Sequence, residues 1–334
     1  MLLHRPATRD GVVRAPRLSP LGWFVAAALT AVVGGTALTA ANVLAGLSAG
    51  PFVTYALPVT RVLMNLGSVL VVGCALVPVL AGRAVRGATV GGVVAASTAA
   101  IAALTLLVLQ VAELRWQVTV PNVVRYVERV VVGQSLLAVV VLAAGCIGVG
   151  AVALRRPGLI PAELRFVLAL CAVVPLPLTG HARGSEYSDV TVLTLQAHVL
   201  AAAAWTGGLL AVTVLLARLP AVLSVALPRF SSLATIAIAV VVVSGLVNAA
   251  VELGTTPDVG LAGFFTTAYG WTSLAKVACA AVVAAIGGTI RTRLLPAVVA
   301  RRPTAFVGLA ALEIGVLGIC YGLGTVLSRA AVIA

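Results

Sequence analysis

The stretch "GHARGSEYSDVTVLTLQAHVLAAAAWTGGLL" spans residues 180–210. Its first ten residues are, apart from Ala182, polar, charged or turn-forming. The rest, from Val190 to Leu210, carries no Asp, Glu, Lys or Arg. As a helix at 1.5 Å per residue, such a run covers the ~30 Å of a bilayer's hydrocarbon core. Strand-like alternation is absent, so the solvent implied is lipid and the element implied is a helix.

The rest of the chain repeats this pattern. It has 334 residues, 61% hydrophobic and 9% charged, with a mean hydropathy of +1.17. That composition excludes a soluble domain and predicts an all-α, polytopic transmembrane helical bundle. Nine spans are expected, at 21–46, 57–81, 89–112, 129–153, 163–179, 190–217, 230–253, 270–291 and 304–328. The fifth is short and carries Pro175 and Pro177, which predict a kink or an early end. The 33 glycines suit close helix packing in lipid.

The formal net charge of +13 is a topology signal rather than a nucleic-acid one. With the N-terminus inside, 15 of the 22 basic residues fall in inner segments. Arg115, Arg125, Arg129, Arg183 and Arg329 fall outside, and Arg61 and Lys276 lie within spans. This asymmetry predicts N-terminus in, C-terminus out, in the cytoplasmic (inner) membrane. Six of the nine acidic residues lie on the outer side, among them Glu186 and Glu252. The first apolar run, "WFVAAALTAVVGGTALTAANVLAG", exceeds a signal-peptide core and is expected to remain as a span.

Three features carry candidate chemistry. His198 lies inside the sixth span, Trp205 follows seven residues later on the same face, and His181 sits in the preceding outer loop. Intramembrane ionisable residues are costly, which makes them functional candidates. Neutral imidazole is a ligand for copper and zinc, although a buried histidine also serves purely structural hydrogen bonds. Gly207 and Gly208 are expected to admit a neighbouring helix. Lys276, the chain's one lysine, and Glu313 fall in the eighth and ninth spans, roughly 7–8 Å apart in depth. A buried ion pair between them is expected. Asn248 shares a face with Ser244 and Glu252. Met64, Cys171, Cys279 and Cys320 are possible soft ligands completing the site. No C-x-x-C occurs, no P-loop appears, and His4 belongs to a solvated tail. ATP-driven pumping and enzymatic activity are not expected.

"GHA" followed by "H…AAAAWTGGLL" resembles the signature of the copper resistance D (CopD) family of inner-membrane proteins. The likeness continues through "RFSSLATIAIAVVVVSGLVNAAVEL" (229–253), "YGWTSLAKVACAAVVAAIGGTIRTRLLP" (269–296) and "ALEIGVLGICYGLGTVLSR" (311–329). It is strong over 180–329. Earlier, "VTRVLMNLGSVLVVG" (59–73) resembles the N-terminal helices attached to this domain in actinobacterial members. A cytochrome-oxidase assembly domain carried by some of those is not seen here. The expected organisation is a basic tail over 1–20, four N-terminal spans over 21–160 and a CopD-like domain of five spans over 161–334.

The resemblance implies copper transport, homeostasis or resistance at the membrane. By position, His181 and His198 match the family's histidines, Trp205 its tryptophan, and Lys276 and Glu313 its membrane charges. A copper ion is the implied cargo. A periplasmic copper-binding protein or an oxidase assembly factor is a possible partner, and nucleic acid is not one. Two alternatives stay open: a bis-histidine haem protein, and a subunit that hands copper on without transporting it.

Overall fold

The computed structural model describes residues 19–43, 51–114, 117–179, 188–255, 259–302 and 304–327; of these, 34–43, 51, 188–190 and 326 are described by backbone alone. Among them every regular element is helical. Among the described residues, eight helices are long and apolar enough to cross a membrane, and they match the second to ninth expected spans in order. The first expected span falls on α1 (Pro20–Val43), 24 residues long, of which Pro20–Val33 stands as a shorter apolar helix. The chain is a multi-pass membrane protein.

After α1 come α2 (Pro51–Ala81), α3 (Arg86–Glu113), a short α4 (Val120–Arg129) and α5 (Val131–Arg155). α6 (Ala162–Val173) ends in a 3-10 turn over Leu176–Thr179, the early end that Pro175 and Pro177 predict. α7 (Ser188–Ala211) runs into a π turn over Val212–Leu216. α8 (Pro220–Thr255), a single turn α9 (Gly263–Thr266), α10 (Ala268–Thr289), α11 (Leu295–Val299) and α12 (Phe306–Leu327) complete the chain.

α4 was not anticipated. The stretch "VPNVVRYVER" buries Tyr126 and half-buries Val123 and Val127, and exposes Arg125, Glu128 and Arg129. Proline near its start suits a first helical turn. It therefore lies as a two-faced helix before α5, separated from it by extended Val130. Hydropathy averaged over a span-sized window conceals so short an element.

α2 is the central helix, packing against α3, α6, α7 and α8. Small residues make this possible, because lipid offers helices no hydrophobic reason to associate and close contact must supply the attraction. Gly67 of α2 meets Ala95 and Ala99 of α3. Gly318 and Gly322 of α12, in a G-x-x-x-G spacing, meet Phe24 and Ala28 of α1. Large apolar side chains such as Ile101, Val141, Leu193 and Ile236 point outward, as lipid-facing residues do.

Polar anchors sit at both ends of α2. Near its start, Arg61 Nη2 donates to the Thr179 carbonyl at 2.8 Å. At its other end, the Leu80 carbonyl accepts from Arg229 Nη1 at 2.9 Å. Nearby, at the start of α3, Thr89 Oγ1 accepts from Arg165 Nη1 at 3.2 Å.

Candidate functional site

The site is built where α7 crosses α2 and α8. Gly207 permits the first crossing. A Cβ on it would collide with the Val69 carbonyl of α2, and one on Gly73 would collide with Gly207 itself. Gly208 makes room for the Phe230 ring of α8 and for Leu76. The expected helix approach is thus present, and both glycines are used, each for a different neighbour.

With α7 held there, its polar face meets α8. His198 Nδ1 lies 3.0 Å from the Val241 carbonyl oxygen and 3.1 Å from Ser244 Oγ. A carbonyl can only accept, so the geometry assigns the ring proton to Nδ1. The Ser244 hydroxyl donates to the Val240 carbonyl, which leaves its oxygen to accept from the imidazole. The ring edge packs over Gly245, where an added Cβ would come within 3.3 Å of Cε1. His198 Nε2 is left with its lone pair and with no bond to a described residue. This is how a metal-binding histidine is ordinarily held: the non-ligating nitrogen donates to a carbonyl and fixes the tautomer.

One to two turns toward the start of α7, Thr194 Oγ1 donates to Asn248 Oδ1 at 2.8 Å. Asn248 therefore joins the histidine helix directly. Asn248 Nδ2 and Thr191 Oγ1 are buried with no partner among the described residues. Polar atoms left so in a membrane interior call for a further partner, and Asn248 Nδ2, which can only donate, suits an acceptor and not a cation.

Trp205 is 3% exposed and Glu313 4%. The indole, which can only donate, is a polar neighbour of the Glu313 carboxyl. The carboxyl lies over Gly287, 3.6 Å from the point a Cβ would occupy. It also borders a small cavity lined by Phe230, Ser231 and Arg291.

The expected Lys276–Glu313 pair is not formed. Lys276 Nζ lies 3.5 Å from the Cβ position of Gly324, eleven residues beyond Glu313 on α12. That is about 16 Å along the helix. Direction is the cause. α10 and α12 are antiparallel, and helical side chains lean toward their own N-terminus. Lys276 leans toward the start of α10 and Glu313 toward the start of α12, so the two diverge. Lys276 instead lies within electrostatic reach of His198 and of Cys320.

The soft ligands are dispersed. Met64 is fully buried among apolar side chains, and its carbonyl accepts from Ser68. Cys171 is exposed on α6 and its electrostatic neighbour is Cys146 of α5. Cys279 and Cys320 are electrostatic neighbours. His181 lies outside the described residues, as does His4. The segment holding His181 is bracketed by two anchors: Arg61 on Thr179, and Gln196 of α7, which donates to the Val174 carbonyl at 2.8 Å. Among the described residues no three His, Cys, Asp or Glu side chains form a metal cluster.

Two family models match the chain. The copper resistance protein D-like N-terminal domain covers residues 52–189 and copper resistance protein D covers 224–327. The chain belongs to the copper resistance protein D family. α2 to the start of α7 fall in the first match, and α8 to α12 in the second; His198 and Trp205 stand between the two matched ranges, and His181 falls inside the first. No curated protein and no solved structure matches the chain. Membership makes this a copper resistance-related membrane protein.

Ser244, Gly245 and Val241 complete the histidine's setting. Ser244 was legible as a neighbour of Asn248 on one helix face. Val241, which acts through its backbone, left no mark in the sequence.

Proposed function

We propose that the protein moves or buffers copper ions across or at the cytoplasmic membrane, without ATP, through a site centred on His198 near the outer face. One observation carries this reading: the Nδ1 bond to the Val241 carbonyl presents Nε2 with its lone pair. Neutral imidazole nitrogen suits copper. His181, reached through the short segment after Thr179, is the second ligand. Trp205 and Glu313 lie below, and Asn248 and Thr194 line the approach. Residues 161–334 form the copper-handling half and 21–160 its helical support. A periplasmic copper-binding protein or an oxidase assembly factor is the partner class that fits such an outer site. The chain acts as a carrier and not as an enzyme.

Metal analysis of the purified chain tests this. Wild type is expected to retain about one copper at the histidine site. His198→Ala and His181→Ala lose it and His4→Ala does not. Copper held equally by His198→Ala would remove the proposal. A haem absorption spectrum in the wild type would replace it with the bis-histidine alternative. Uptake into sealed vesicles separates transport from copper hand-over.

A further inference from the structure

Two contacts define how α10 lies on α12. Lys276 meets Gly324 and Gly287 meets Glu313. Between them, at the register that antiparallel order demands, Cys279 and Cys320 fall at one level of the interface, within electrostatic reach of each other. Both cysteines are half-buried and carry free thiols. Lys276 is one turn from Cys279 on α10, and Gly324 is one turn from Cys320 on α12. Two sulfurs thus sit at one level of one helix interface, with an ammonium about one turn away.

We propose that Cys279 and Cys320 form a two-coordinate Cu(I) site, with Lys276 supplying its counter-charge. It rests on the copper reading for its cargo but not on His198. Soft thiolate sulfur selects Cu(I) over harder cations. Binding forms two Cu–S bonds and releases two protons, one from each thiol. The bis-thiolate complex then carries a net charge of −1. In lipid such a charge is costly unless paired, and the Lys276 ammonium brings the cluster to zero. This explains why the chain's one lysine lies deep in a span and reaches toward Gly324. A Cβ there would just touch Nζ. Because Lys276 also lies within electrostatic reach of His198, its charge is placed between the two sites.

The test uses the detergent-purified full chain without oxygen. Cu(I) is supplied as its acetonitrile complex and competed with bicinchoninate, and the ultraviolet thiolate-to-Cu(I) band is followed. Wild type shows the band. Cys279→Ser and Cys320→Ser each abolish it and weaken Cu(I) binding by more than ~100-fold, beyond the range of outer-shell effects. Lys276→Met keeps the band and weakens binding about 10- to 100-fold. Cys74→Ser and His198→Ala keep the band. An undiminished band in the Cys279→Ser/Cys320→Ser double variant overturns the proposal. So does a band lost in His198→Ala but kept in the double variant, which leaves the His198 reading standing. The reverse pattern, with His198→Ala binding copper as wild type does, sinks the His198 reading and supports this one. Where the serine variants fail to fold, wild type decides: Cu(I) is expected to protect Cys279 and Cys320 from a maleimide while Cys171 still reacts. Equal labelling of all three with and without Cu(I) overturns the site.

Discussion

Gly73 and Gly207 cross backbone to backbone, so that a methyl group on either residue would enter the other helix. This contact seats α7, and with it His198 and Trp205, on the central helix. At Gly208 the obstacle is instead the Phe230 ring, a side chain that can shift. Gly207→Ala is therefore expected to destabilise by at least the ~1–3 kcal/mol typical of overpacking, and Gly208→Ala by less. Thermal unfolding of the purified variants gives the ranking, and the opposite order would show that α7 is seated elsewhere.

Lys276 and Glu313 are expected to behave independently. Their side chains diverge by about 16 Å along antiparallel helices, and distant sites add to within ~0.3–0.5 kcal/mol. The stability losses of Lys276→Met and Glu313→Gln should sum in the double variant. Rescue of one by the other would require a pair that this arrangement does not contain.

Ser244→Ala removes one of two acceptors at His198 Nδ1 and leaves the Val241 carbonyl. The tautomer is expected to persist, and copper affinity at the histidine site to fall about 10-fold, in the manner of an outer-shell partner. Nitrogen chemical shifts of the imidazole report the tautomer directly. A switch of the proton to Nε2 would show that the serine, not the carbonyl, sets the ring.

The distribution of arginines predicts which face is which. A cysteine at Ser185, in the segment before α7, is expected to react with an impermeant thiol reagent in intact cells. Reaction only after lysis would invert the topology and place the His198 approach on the cytoplasmic side.

Tyr126 gives the short helix α4 a pH signature. Burial, reinforced by nearby Glu113 and opposed by Arg61, pushes its phenol from 10.0 up to about 12. The folded state therefore holds this proton when the unfolded state has lost it. The associated stability is fully present below pH 10 and is lost as pH rises toward 12. Thermal stability should fall more steeply over that interval in wild type than in Tyr126→Phe. Parallel curves would mean that Tyr126 ionises as freely in the fold as out of it.

The amino-acid sequence by itself determined the solvent, the helical class, the order and approximate limits of the spans, and the polar residues that lipid makes expensive. Hydropathy and charge asymmetry are properties of single segments, so they survive without knowledge of neighbours. His198, Trp205, Asn248, Lys276 and Glu313 were all legible for that reason, and so was the need for close approach at Gly207 and Gly208. What each polar group faces was decided by tertiary structure. Depth along two spans suggested that Lys276 and Glu313 meet; the lean of side chains in antiparallel helices separates them. Cysteines 41 residues apart in sequence carry no mark of proximity, and only the register of α10 on α12 sets Cys279 and Cys320 at one level. The proton on His198 is placed by a backbone carbonyl of α8. Any residue could supply that carbonyl, so only the crossing of α7 and α8 reveals it.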